Sequence, residues 1–317
     1  MNASTDSPLF GALWLLATAL VFLAPLIPSL RELFSRSDAG ALDIDHLDNG
    51  RTDYAAQSVR EQLPSLEDLP QAAGWPRTTT GLPIVPPGHE RLMAQASQPL
   101  VLAPHAGAHT LVSSTTVYLR AHSRVERILH ARSIRSRGPV DLASRTSADG
   151  HVTLSPGTRF ERLSAACICS LPLRREGRMR AAGPASGIPL TVAHRRHDGD
   201  LRIPAGATVQ GGLVVTGDLY LEDGVVVIGH VKVHGSATLG REASVRGALF
   251  ALQAIHTEGD NHIDGPLCAG QALRLGTGSR VGSPAIPCSV SSWSMEVGAS
   301  VRIYGSLSTV RGGEVLP

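Results

Sequence analysis

The sequence predicts an all-β fold: a single-stranded β-helix, a triangular solenoid of 18 residues per coil, preceded by one transmembrane α-helix and a disordered linker. Three observations carry this. Glycines recur at 18-residue steps at Gly211, Gly229, Gly247 and Gly265, and the chain around them recurs too: GDLRIPAGATVQGGLVVT from Gly199, GDLYLEDGVVVIGHVKVH from Gly217, GSATLGREASVRGALFAL from Gly235. A fixed period of this size marks a solenoid. Within each unit apolar residues come in pairs two apart, such as Leu219 and Leu221, Val225 and Val227, Val231 and Val233. Residues two apart on a strand share a face, so each pair is a short strand with one buried side, and three strands close one coil. Finally, the stretch from Pro8 to Leu30 contains no charged residue.

That N-terminal stretch, residues 8–30, has the length needed to cross a hydrocarbon core of about 30 Å as a helix. No basic residue precedes it and no small-residue cleavage site follows it, which argues against a cleaved signal peptide. Pro25 and Pro28 would kink or end the helix. Arg31 and Arg36 follow the span while its N-terminal flank carries only Asp6, so the positive-inside rule places the bulk of the chain in the cytoplasm. Residues 31–98 then change character. Asp38, Asp43, Asp45, Asp48, Asp53, Glu61, Glu67 and Asp68 are followed by the Pro-rich GLPIVPPGHE. Such composition predicts a flexible acidic tether, with one short helix around TDYAAQSVREQL.

Residues 99–317 form the expected β-helix. Its first half is irregular: Val117 and Leu119, Ser123 and Val125, and Leu129 and Ala131 keep the two-residue spacing, and Val152, Leu154, Thr158 and Phe160 suggest another coil. A basic loop, residues 170–198, interrupts it. Regular coils occupy 199–287, where Val209, Val227, Val245, Ile263 and Val281 keep the long step. Trp293, Val297, Ala299 and Ile303 fit a last, less regular coil. The recurring glycines are expected at sharp corners, where a residue without a Cβ reaches positive φ.

The search for chemistry returns little. A net charge of +2 hides an acidic linker and a basic region from Arg120 to Arg202, but aromatics are only 4% of residues and no nucleic-acid motif is present. Cys167 and Cys169 share a strand face and are expected not to bridge each other; Cys268 and Cys288 lie near one coil's step. Free buried thiols are the expectation for all four. The H-x-x-H of His194 and His197 precedes a strand rather than riding a helix, so it is a weak metal signal. Carboxylates on the coils are scattered. His230, His234 and His256 leave open a hexapeptide-repeat-like acyltransferase, which would need a further loop and a trimer. Otherwise the chain is expected to be non-enzymatic and to use no cofactor or metal.

The GDLxIxxGAxVxG phrase at Gly199 to Gly211, its reiteration at 18 residues and the valine-rich core together resemble the bactofilins, bacterial polymer-forming cytoskeletal proteins. The resemblance covers about Gly199 to Gly282 and extends to Ser308. It implies a right-handed β-helix that polymerises end to end without a nucleotide, at the inner membrane, and recruits cell-envelope or morphogenesis enzymes. A terminal coil also has a physical reason to associate: its backbone edge is unpaired and its last core layer is open. The expected contacts are Ile303 and Leu307 at the terminal coil and the outward-facing Phe250 as a lateral contact. A periplasmic β-helix binding module is the competing reading if the topology is reversed.

Overall fold

The computed structural model describes Trp14, Thr18 and residues 54–142, 145–172 and 194–317. The predicted span at 8–30 therefore lies outside the described residues except for Trp14 and Thr18, which are helical. Among the described residues no helix is long and apolar enough to cross a membrane. Most of the predicted basic loop, residues 173–193, also lies outside them.

The described residues from 54 onward form an all-β solenoid of about 12 turns with almost no helix. It is wound in two successive stretches. The second is the one read from the repeat: strand Leu201–Ile203 pairs in parallel with Leu219–Leu221, which pairs with Ala237–Leu239, at 18-residue steps. The first, expected to be irregular, steps less evenly, with register shifts between Ala108 and Thr110 and between Ala165 and Cys167. Its strands also stack in parallel, but mostly at a 17-residue step: Leu100 lies beside Val117, and Val117 beside Ile134. It begins at strand Ile84–Val85, earlier than the expected residue 99.

The two stretches meet end to end. The first closes on strand Arg159–Ser170 and the second on strand Arg302–Val315; each bends around its coil. These two strands pair antiparallel, Phe160 with Gly313, Leu163 with Leu307 and Ile168 with Ile303. Side chains tie the seam further. Ser170 Oγ donates to the Gly298 carbonyl and accepts from the Val301 N–H, and Thr309 Oγ1 donates to the Glu161 carbonyl.

As a result the core is continuous across the joint. One column of inward side chains runs Leu100, Val117, Ile134, Val152, Ile168, then Ile303, Val281, Ile263, Val245, Val227 and Val209. A second passes from Leu111 through Leu129, Thr146, Leu163 and Leu307 to Leu213 and Arg195. The third passes through Leu142, Phe160, Gly313 and Met295 and ends on Leu201. In the last coils Met295 takes the inward place and Trp293 points outward.

Residues 54–98, expected to be part of a flexible tether, are folded. A helix at Tyr54–Arg60 packs Ala56 beside Val112 with Leu63, and short 3-10 turns at Leu66–Asp68 and Pro70–Gly74 lay Leu66 and Trp75 on the first coil. The acidic composition hides this because the few apolar residues of the segment are buried against the coil rather than against each other. Glu67 fastens the cap: it accepts from Ser65 Oγ at 2.6 Å, from Ser97 Oγ at 2.6 Å and from the Ser97 N–H. Partial burial pushes its carboxyl up, but these bonds outweigh it and hold the pKa near 2. A depressed carboxylate pKa stabilises fully above the ordinary value of 4.5 and is lost as pH falls toward 2. Amide exchange at Gln95 and Ser97 should therefore quicken between pH 5 and pH 3, relative to the inner coils. Glu67→Gln should remove that pH dependence; an unchanged dependence would reject the assignment.

The glycine column has a different cause from the one expected. Positive φ occurs at Gly211 and Gly229, but Gly247 and Gly265 do not need it. What the column shares is proximity: a Cβ on Gly229 would sit 2.4 Å from the Gly211 carbonyl oxygen, and one on Gly247 2.4 Å from that of Gly229. The Gly-Asp phrase is a second interlock. Asp200 Oδ1 accepts the Asp218 N–H of the next coil, and Asp218 Oδ1 accepts the Ser236 N–H. A Cβ on Gly217 or Gly235 would collide with those carboxylates. Each glycine makes room for the aspartate below it.

Candidate association surfaces

Three surfaces are candidates for contact with another chain, and they differ in what they leave exposed. The first is the joint. Ile303 and Leu307, expected at a free terminal coil, are each 1% exposed and face Ile168 and Leu163 of the same chain. This corrects the sequence reading: the end of the second solenoid is covered by the first. The physical reason is the one that made an open end attractive for association. An unpaired edge and an uncovered core layer recruit a matching edge, and the chain itself provides it.

The second surface is the start of the second solenoid. Strands His194–His197, Leu201–Ile203 and Thr208–Gln210 form its first coil. Each pairs with the coil above, and among the described residues none pairs on its outer edge. The three core columns stop here, on Val209, Leu201 and Arg195. Val209 and Leu201 are only half-buried and Arg195 is exposed, whereas Val227, Leu219 and Leu213 one coil further in are buried. Around this end Arg196 pairs with Asp198 at 2.9 Å, and His197 meets the Asp200 carbonyl at 3.0 Å. The predicted H-x-x-H is thus the strand of this coil; among the described residues no cluster of three or more metal-ligating groups occurs. The opposite end of the molecule is not equivalent, since Leu66 and Trp75 cover it.

The third surface is lateral. Phe250 is 44% exposed, as expected of an outward position, in a row with Lys232 and Cys268. Leu252, Trp293 and Val310 are also exposed. Arg311 lies over the Trp293 ring at 5.7 Å.

The histidines weighed for acyl transfer do not converge. His230 Nδ1 accepts the Ala248 N–H at 3.0 Å, a bond between coils, while His234 is exposed and His256 stands in a row with Thr238 and Arg274. The sequence reading missed Leu201, Val209 and Arg195 as an end, because in the repeat they look like any other coil. The available signal was the basic HRRH at 194–197, which puts arginine in a column that is leucine or valine in the coils above it.

Comparison of the chain with protein-family models, with curated proteins and with solved structures returns no match.

Proposed function

We propose that this protein is a membrane-anchored, nucleotide-independent scaffold of the bactofilin type, which associates through the open coil at 194–210. One observation carries this reading: among the described residues, one solenoid end keeps half-exposed core residues and an edge to which no strand is paired, while the other ends are capped or joined. An open edge of this kind is a template for another chain. The internal joint offers the pattern, in which the middle segments of two terminal coils pair with each other and the outer segments exchange partners. Applied to two copies, Leu201–Ile203 meets itself and the strand bearing Arg195 meets the uncharged Thr208–Gln210. Arginine would not face arginine.

A single open end gives pairs rather than endless filaments. Growth into patches then falls to lateral contacts around Phe250, Leu252 and Trp293 and to the anchor at residues 8–30, which concentrates pairs in the plane of a membrane. Recruited envelope enzymes would bind such a patch.

The test is the size of the detergent-solubilised full chain by sedimentation and negative-stain imaging. Two-chain rods are expected, and Val209→Lys should weaken pairing by about 100-fold, because it sets a second cation against the partner's Arg195 at the interface. Its circular dichroism should stay that of the parent, since Val209 is half-exposed in the single chain. A strict monomer at tens of micromolar, or assemblies indifferent to Val209→Lys, would overturn the reading.

A further inference from the structure

The strand Arg159–Ser170 carries Cys167, Ile168 and Cys169. Ile168 holds a place in a core column, so the two cysteines flanking it lie on the outer side of the strand. Alternate residues of a regular strand are about 6.6 Å apart along the chain, which is why the sequence predicts that this pair stays apart. The structure differs. Pairing with strand Arg145–Leu154 shifts register between Ala165 and Cys167, and pairing with Arg302–Val315 shifts between Ala165 and Ile168. A bulge bends the strand and re-aims its side chains, and here the two sulfurs come to 3.3 Å. His151 stands opposite Cys167 on one neighbouring strand and Arg302 opposite Cys169 on the other. Cys167 is 7% exposed, Cys169 is half-buried, and both are free thiols.

The electrostatics divide the pair. The hydrogen bond with Cys169 holds the Cys167 thiol below its ordinary pKa against burial, with His151 and the Arg302 charge adding to the effect. The same contact pushes Cys169 up. The contact, with His151 opposite Cys167, thus favours charge on Cys167 and the proton on Cys169. The remaining cysteines are placed otherwise. Cys268 accepts from Ser291 Oγ at 3.2 Å, and Cys288 donates to the Asp264 carbonyl while burial pushes its thiol up to about 11.

We propose that Cys167 and Cys169 form a reactive dithiol site that exchanges with low-molecular-weight disulfides of the glutathione class, Cys167 attacking and Cys169 resolving. The Cys167 thiolate attacks one sulfur of the disulfide; the new bond joins Cys167 to that half, and the other half leaves as a thiolate that takes a proton from water. Cys169 then gives its proton to water and attacks Cys167, expelling the second half, which is protonated in turn. Two electrons pass from the protein pair to the reagent: one disulfide becomes two thiols and two protein thiols become one disulfide.

The test treats the reduced full chain with glutathione disulfide and follows intact mass, with peptide mapping of the product. The wild type should lose two hydrogens at 167/169 without retaining an adduct. Cys169→Ser should trap a mixed disulfide on Cys167, and Cys167→Ser should react no faster than Cys268 and Cys288. His151→Gln should slow the first step about tenfold at neutral pH through lost thiolate, with the circular dichroism unchanged. The proposal is overturned if the wild type keeps both thiols after Cys268 has reacted. It fails equally if Cys169→Ser traps no adduct on Cys167, or if His151→Gln reacts at the wild-type rate.

Discussion

Replacing Leu307 with Asp should unfold the solenoid rather than liberate one end of it. Leu307 is buried opposite Leu163 at the joint. Removing that leucine from the core costs about 2–3 kcal/mol, and an unpaired carboxylate in its place costs several more or must take up a proton. The sum exceeds about 5 kcal/mol, close to the whole stability of an ordinary domain, and corresponds to a fall in Tm of more than about 10 °C. Ile303→Asp should behave alike, because Ile303 meets Ile168 across the same seam. Phe250→Asp is the control: Phe250 is exposed, and its change should stay within about 0.5 kcal/mol. Thermal and urea melts read by circular dichroism decide the matter. A Leu307→Asp chain that melts like the parent but no longer assembles would mean the 302–315 end is free to bind other copies, and the joint would be dispensable.

What the sequence made legible follows from the step of each repeat. In the second solenoid an 18-residue step keeps Val209, Val227 and Val245 in line, so glycine, aspartate and valine all recur together and the coil is plain. The first solenoid steps mostly by 17, and against an 18-residue template every coil slips by one. On a strand a slip of one exchanges the two faces, so Leu100, Val117 and Ile134 look irregular although they stack as well as their counterparts. The joint has no period at all. Leu163 with Leu307 and Ile168 with Ile303 are contacts between distant segments running in opposite directions, and only the like-with-like composition of two long terminal strands hints at them. The cap is hidden for a third reason: Leu66 and Trp75 are too sparse to mark a core of their own and become one only on the coil they cover. The dithiol depends on a bulge, which spacing alone does not reveal. Ends, joints and caps are set by pairing that happens once, and so the residues that close or open an end are the ones least visible in a repeat.

The second large effect is expected at the point where the joint accommodates its largest side chain. Phe160 is buried on strand Arg159–Ser170 and pairs with Gly313. A Cβ on Gly313 would lie 2.4 Å from both Cε2 and Cζ of the Phe160 ring. Gly313 does not need positive φ, in contrast to Gly312 at φ 95°, so the ring rather than the backbone is what excludes a side chain there. Phe160→Ala should cost about 3–5 kcal/mol, since the transfer term is joined by a cavity that the surrounding strands cannot close. Gly313→Val should cost about 1–3 kcal/mol by overpacking the same space. If the two residues share one volume, the double variant should be less damaged than the sum of the singles, by about 1–2 kcal/mol, because the valine methyls enter the space the ring has left. Urea denaturation of the four chains gives this coupling directly. Strict additivity would mean that Phe160 and Gly313 act independently, and the ring would then not be what fills the seam between the two solenoids.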